Sequence, residues 1–464
     1  MSYRLGVDVG GTFTDLLLIN EESGETWTAK VPSTPEDSSI GVLNGVARIC
    51  DESGVEPADI KLVMHGTTVA TNAVLTGRGA KVGLVTTKGY EQTLQVARSF
   101  CPGGLGGWVS FVKRPLLAPL ELTIGAGERI GADGEVVTDL DEASLRTDLQ
   151  ALHARGEVEA LTICFVNAYI NAEHEQRAAA IAAEVFGDVP ISVSSDVVPE
   201  MQEYERTETT VVNSYVRPEV SKYVENLQAS LADRLGADTQ LSILRSDGGL
   251  ASGRGASESP VNMLMSGPAG GVAGAMYFCS RAGFKDILTF DMGGTSTDVA
   301  LIQAGKARVR RETFVGDVRV RAPSVDVRTV GAGGGSIAFV PELTRAWRVG
   351  PESAGAVPGP AGSAGAASAR EMARPAGAGA GSPRRRWEEL AHSSAIPTAA
   401  TVRMTMEKQP TAARNHLLRA PLGRDTASPG GQASPGSCYG RGRPGVPGAV
   451  RRRRADRRAS GSAR

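Results

Sequence analysis

The sequence predicts an α/β protein built from two related domains, followed by a C-terminal tail with no fold of its own. Three observations carry this expectation. Short apolar runs alternate with helical patterns through the first 361 residues, as in mixed sheet-and-helix architectures. One glycine hairpin occurs twice, at domain-sized spacing. From residue 362 onward apolar periodicity is lost, and the chain turns to Ala, Gly, Pro and Arg.

The first hairpin lies in MSYRLGVDVGGTFTDLLLIN. Leu5-Gly6-Val7 and Leu16-Leu17-Leu18-Ile19 are apolar runs, and Gly10-Gly11 marks the turn between them. The pattern returns as ILTFDMGGTSTDVALI. DVGGTFTDLLLI and DMGGTSTDVALI agree at eight of twelve positions, and Asp8 and Asp291 stand 283 residues apart. A repeat of roughly 20–50 residues would predict a solenoid. The observed spacing predicts two domains that present the same turn to something shared.

The residues of the turn define that ligand. Glycine amides can approach a bulky anion closely, and successive N–H groups form a nest suited to phosphate. Gly10, Gly11, Gly293 and Gly294 supply such amides, while Thr12, Thr14, Thr295 and Thr297 add hydroxyls. Asp8, Asp15, Asp291 and Asp298 would repel bare phosphate, so they call for a cation. Mg²⁺ beside the phosphates of ATP meets both requirements. A single GG hairpin is an ordinary turn; the same DxGGTxTD frame used twice predicts a phosphate clamp. Neither GxxxxGK[ST] nor a strand-borne GxGxxG is present.

Between the hairpins, KLVMHGTT, AKVGLVTT and VEALTICFVNAY read as buried strands and HEQRAAAIAAEVFG as a helix. MQEYERTETTVVNSYVRPEVSKYVENLQASLADRLG predicts two helical segments interrupted near Arg217-Pro218. The acidic run Glu200, Glu203, Glu205, Glu208 reads as a solvated helix face. His65, at a strand end beside Thr67 and Thr68, is either a general acid or base or a hydrogen-bonded structural residue. Ser266–Gly271 precedes a helical stretch; its amides either face phosphate or allow close backbone packing.

The 464 residues are 41% hydrophobic with a net charge of −1. That neutrality conceals a split. Residues 362–464 hold 18 Arg and one Lys against six acidic residues, whereas the preceding part holds 31 basic and 45 acidic ones. Five scattered cysteines without a CxxC pair suggest neither a disulfide framework nor a zinc site. No leader-like segment and no run of 18 apolar residues occurs, so a cytoplasmic protein without a membrane span is expected.

The duplicated hairpin resembles the phosphate loops of the actin, sugar-kinase and heat-shock-chaperone ATPase superfamily. Residues 3–361 resemble, more specifically, the hydantoinase A / 5-oxoprolinase family of ATP-dependent hydantoinases, N-methylhydantoinases and acetone carboxylase beta subunit relatives. The stretches that carry this are HGTTVATNAVLTGRGAKVGLVTTKGY (65–90), SSDVVPEMQEYERTETTVVNSYVRP (194–218), RSDGGLAS (245–252), VNMLMSGPAGGVAGA (261–275), TVGAGGGSIA (329–338) and RVGPESAGAVPGPA (348–361).

The resemblance implies two actin-like lobes with a nucleotide cleft between them. One domain spans 1–190 with the first hairpin, a second spans 191–361 with the other, and 362–464 is a low-complexity basic tail. It implies Asp8 and Asp291 as the principal Mg²⁺ and water-positioning residues, and Gly333, Gly334 and Gly335 as an adenosine contact where a flexible connection is the alternative. The implied chemistry is ATP-dependent opening of a cyclic amide (hydantoin, N-methylhydantoin or 5-oxoproline) through carbonyl phosphorylation. Carboxylation of a ketone is the second reading, and a nucleotide-binding module without small-molecule chemistry the third. A hydantoinase B-like subunit is the implied partner; nucleic acid is not, despite the basic tail.

The match ends abruptly at Gly359-Pro360-Ala361, and the family's continuing Cys-Tyr-Gly-Arg-Gly occurs only at Cys438-Tyr439-Gly440-Arg441-Gly442. The composition in between is what a GC-rich gene yields when read out of frame; a genuine basic tail for an acidic partner is the alternative. The expectation is an incomplete second lobe with an unpaired edge and uncovered apolar surface, and little catalysis from this chain.

Overall fold

Alternation along Tyr3–Val9 (β1) turns Tyr3, Leu5, Val7 and Val9 into the core, and Phe13–Asn20 (β2) does the same with Thr14, Leu16 and Leu18. The two strands pair antiparallel, and Thr26–Pro32 (β3) adds to β2. Helix Ser38–Ser53 (α1) then crosses this hairpin, where Gly45 leaves room for the Leu16 side chain. Ile60–Gly66 (β4) returns parallel to β1, and Val69–Thr76 (α2) follows.

This computed structural model describes residues 2–10, 13–34, 38–99, 114–294, 296–341 and 345–354. Gly11, Thr12, Thr295 and the 362–464 tail with its Cys438–Gly442 string lie outside the described residues. All described residues belong to one compact unit.

A second sheet is wholly parallel. Val82–Thr87 (β5), Thr123–Ala126 (β6), Ala160–Cys164 (β7) and Ile191–Val193 (β8) lie in the order β8-β7-β5-β6. Glu142–Ala154 (α3) and Glu173–Phe186 (α4) supply its crossovers. Every residue of β5 and β7 is buried, as a parallel sheet covered on both faces requires. Beyond the long helix Glu203–Leu235 (α5), Gln240–Leu244 (β9) and Leu250–Ser252 (β10) rejoin the first sheet, whose order is β10-β9-β4-β1-β2-β3. That sheet therefore takes strands from both sides of residue 190.

Ser266–Arg281 (α6) leads into the second hairpin, Ile287–Met292 (β11) and Thr297–Gln303 (β12). Lys306–Ala307 (β13) and Val327–Val330 (β14) also pair with β12. Ala269 and Val272 of α6 pack on Ala300 and Ile302 of β12, while Leu288, Phe290, Met292 and Leu301 are exposed. The architecture is the expected α/β one, and β4, β5, β7 and α4 lie where the apolar patterns place them. Among the described residues no helix is long and apolar enough to cross a membrane.

Two expectations need correction. The segment around Pro218 is one continuous helix of 33 residues, not two. Pro218 removes the amide that would bond the Ser214 carbonyl and strains that turn. The neighbouring Tyr215 carbonyl instead accepts the Ala80 N–H at 2.9 Å. Val211, Val212, Val216, Val220, Val224 and Leu227, all buried on either side of the proline, hold the helix together. Packing outweighs the local breaking signal.

The acidic run is likewise not a solvated face. Glu205 and Glu208 are buried, paired with Arg98 at 2.6 Å and with Arg114. Glu200 pairs with Arg311 at 2.5 Å and Arg321 at 3.2 Å. The first turns of α5 are enclosed by neighbouring elements, so charge placed there must be matched.

Gly79 lies against the ring of Tyr215, so closely that a Cβ would overlap it. Gly79→Ala is expected to destabilise the protein by about 2 kcal/mol through overpacking. A urea midpoint equal to the wild type would contradict this contact.

Candidate functional site

The two hairpins are built alike. Asp8 pairs with Asp15 and Val9 with Thr14, just as Asp291 pairs with Asp298 and Met292 with Thr297. The Gly10 N–H donates to the Phe13 carbonyl at 3.0 Å, and the Gly293 N–H to the Ser296 carbonyl at 2.9 Å. Each turn thus sets two carboxylates side by side on one face. The second threonine of each frame, Thr14 and Thr297, braces its turn instead. Thr14 is buried with its Oγ1 3.1 Å from the Ser33 Oγ, which donates to the Gly10 carbonyl at 2.7 Å. Thr297 is buried too and donates to the Ala332 carbonyl at 2.6 Å.

Helix α6 brings the hairpins together. A Cβ on Gly267 would stand 3.4 Å from Asp8 Oδ1, and one on Gly271 would stand 3.5 Å from Asp291 Oδ2. Residues four apart share a helix face, so one bare glycine face touches the leading aspartate of each copy. Gly66 closes the floor, its Cβ position 3.1 Å from Asp8 Oδ1. In the sequence, Ser266–Gly271 read equally as phosphate-facing amides or close packing. The four-residue spacing of Gly267 and Gly271 was the signal that joined it to the site.

The charges interact across the hairpins. Crowding by the walls, then the Asp15 and Asp291 carboxylates, push the pKa of Asp8 up to about 6, against the pull of Lys30. Asp8 nevertheless keeps part of its surface exposed. Desolvation first, and Asp15 second, raise Asp291; desolvation also raises Asp298, opposed by a Thr329 hydroxyl 2.5 Å away. Lys30 reaches both Asp15 oxygens, at 2.6 and 2.7 Å. Nothing in the DxGGTxTD frame points to Lys30; only the β2–β3 register, Asp15 opposite Lys30, places it there.

Two carboxylates side by side on each hairpin, with Lys30 paired to one of them, make a hard oxygen donor set that fits a cation. Among the described residues no three or more His, Cys, Asp or Glu stand ready to enclose a metal by themselves. Mg²⁺, which keeps waters and shares phosphate oxygens with one or two carboxylates, suits such a site.

The remaining candidates lie behind the hairpins. The Gly334 and Gly335 amides donate to the Gly293 and Gly294 carbonyls at 2.9 and 2.7 Å, and a Cβ on Gly333 would stand 2.6 Å from the Gly293 oxygen. This glycine loop therefore backs the second hairpin. On β4, His65 pairs with Val7 and Gly66 with Asp8, so His65 turns into the core while Asp8 points from the opposite face of the sheet. His65 is fully buried with Nε2 2.8 Å from the Tyr223 hydroxyl, and burial lowers its pKa to about 4.

Comparison with known proteins follows the same outline. Residues 4–186 match the family profile described as the hydantoinase/oxoprolinase N-terminal region, and residues 206–444 match the hydantoinase/oxoprolinase profile. The second match runs past residue 361 and over Cys438–Gly442. The caprolactamase alpha subunit of Pseudomonas jessenii is 38% identical over 362 residues, covering 77% of this chain and 51% of the relative. The acetophenone carboxylase gamma subunit of Aromatoleum aromaticum is 34% identical, covering 77% and 50%. The crystal structure of the ATP-dependent caprolactamase from Pseudomonas jessenii superposes with a TM-score of 0.68 at 37% identity, covering 77% of this chain and 52% of that one. The chain thus spans about half the length of these relatives.

Proposed function

The chain belongs to the hydantoinase/oxoprolinase family, and from that premise we propose that it binds Mg²⁺-ATP between its twin hairpins to activate a carbonyl group. The observation that carries the reading is the approach of Asp8 and Asp291 to one face of α6. The substrate we favour is a cyclic amide such as a hydantoin, N-methylhydantoin or 5-oxoproline. Its carbonyl is a poor electrophile, and phosphoryl transfer from ATP to the carbonyl oxygen supplies a leaving group. Asp8 and Asp291 would hold the cation and order water, the α6 glycines admit the phosphates closely, and the two lobes position the reactants. Each lobe would carry one hairpin, and β9 and β10 would go with the first, because they pair into its sheet.

Relatives named as subunits support a partner, for which a hydantoinase B-like chain is our choice. Likeness to a carboxylase subunit supports a second reading, ATP-dependent carboxylation of a ketone. ATP turnover by the purified chain, with and without that partner, separates these readings. Stimulation by a lactam or hydantoin supports the first, and stimulation by a ketone with bicarbonate supports the second. Turnover indifferent to all of them would leave a nucleotide-driven module. Closure on phosphate should also slow hydrogen exchange in both hairpins together when Mg²⁺-ATP is added. Protection confined to residues 8–15 would contradict a shared site.

A further inference from the structure

We propose that Lys30 is a phosphate ligand held on Asp15, and that it favours a nucleoside triphosphate over a diphosphate. The assignment rests on the nucleotide reading above. Lys30 stands on β3 directly opposite Asp15 of β2. Its Nζ lies 2.6 and 2.7 Å from the two Asp15 oxygens and 5.0 Å from the centroid of the Phe13 ring. Its charge also acts on Asp8 of the same hairpin and on Asp291 of the other. One ammonium is thus within electrostatic reach of three carboxylates drawn from both copies of the repeat.

The pair is not locked in by packing. The Lys30 and Asp15 side chains keep 36% and 45% of their surface open, and ion pairs of that exposure hold weakly. Four aspartates and one lysine leave the cleft strongly negative, while a Mg²⁺-triphosphate is itself an anion. A divalent ion beside Asp8 and Asp291 supplies counter-charge to the carboxylates. The ammonium, a rotatable point charge on a four-carbon stem, can then turn from Asp15 to a phosphate oxygen. Its charge is felt by Asp291 of the second hairpin, so a terminal phosphate held between the hairpins would meet it.

Calorimetric titration of the full chain with Mg²⁺-ATP and Mg²⁺-ADP tests this. Lys30→Met is expected to weaken Mg²⁺-ATP about tenfold or more and Mg²⁺-ADP less than about threefold, as loss of one charged contact to the terminal phosphate implies. Lys30→Arg, which keeps the charge, should restore the preference for ATP. The ratio of the two affinities is read because a partly unfolded variant lowers both alike. Equal losses for both nucleotides, or no loss, would overturn the Lys30 assignment alone. A wild-type chain that binds neither nucleotide would overturn the nucleotide reading, and Lys30 with it.

Discussion

Asp8→Asn and Asp291→Asn are each expected to weaken Mg²⁺-ATP binding roughly 100-fold, about 3 kcal/mol, while the nucleotide-free protein becomes no less stable. The two effects have one cause. Each carboxylate is held above its ordinary pKa because the cleft gives its charged form poor solvation and like-charged neighbours. Asn keeps the shape and removes that penalty. For Asp8 the displacement to about 6 would correspond to about 3 kcal/mol at neutral pH. Its openness to solvent reduces the expected gain to about 1 kcal/mol. A carboxylate present for packing or for an ion pair would behave oppositely, and its removal would destabilise. Calorimetry for affinity and urea unfolding for stability read the two sides independently. Unchanged Mg²⁺-ATP affinity in both variants would remove the case for these aspartates as cation ligands.

The second large effect is a pH dependence of stability centred on His65. Its pKa lies at about 4 when folded and at 6.5 in an ordinary environment, because burial disfavours the imidazolium. The unfolded chain therefore binds this proton first. His65 contributes stability that is full above pH 6.5 and is lost as pH falls through 4, about 3 kcal/mol in all. Asp8 runs the other way. Its contribution is full below pH 3.8 and is lost as pH rises through about 6. Solvent screening limits that term to about 1 kcal/mol, so His65 wins. Between pH 6.5 and 4 the two together should cost about 2 kcal/mol. Asp8→Asn should steepen this slope, and His65→Gln should reverse its sign. Urea midpoints at three pH values in that window measure it, and a His65→Gln slope identical to the wild type would show the assignment wrong.

These predictions separate two uses of neighbouring residues. His65 and Asp8 are one register step apart on adjacent strands, since His65 pairs with Val7 and Asp8 with Gly66. One points its polar group into the core and the other points from the opposite face of the sheet. The sequence presented both as site candidates, because a strand's inward and outward positions cannot be told apart until its neighbours are known.

The α/β class and the twin hairpins with their repeated aspartates were legible in the sequence alone. Glycine turns, apolar alternation and an eight-in-twelve repeat are local properties, and local backbone preferences suffice to realise them. What only the tertiary structure decided involves partners far apart in the chain. Val211, Val216 and Val220 carry α5 through Pro218, overriding a breaking signal that sequence windows read correctly as local strain. Arg98 and Arg114 make Glu205 and Glu208 buried, paired carboxylates instead of surface charges. Lys30 joins the cleft through strand register alone, and Gly267 and Gly271 join Asp8 to Asp291 because a helix without side chains on one face lets both carboxylates approach. Each of these is set by which surfaces the fold presses together, and the free energy of that packing exceeds the preferences written into any short stretch of the chain.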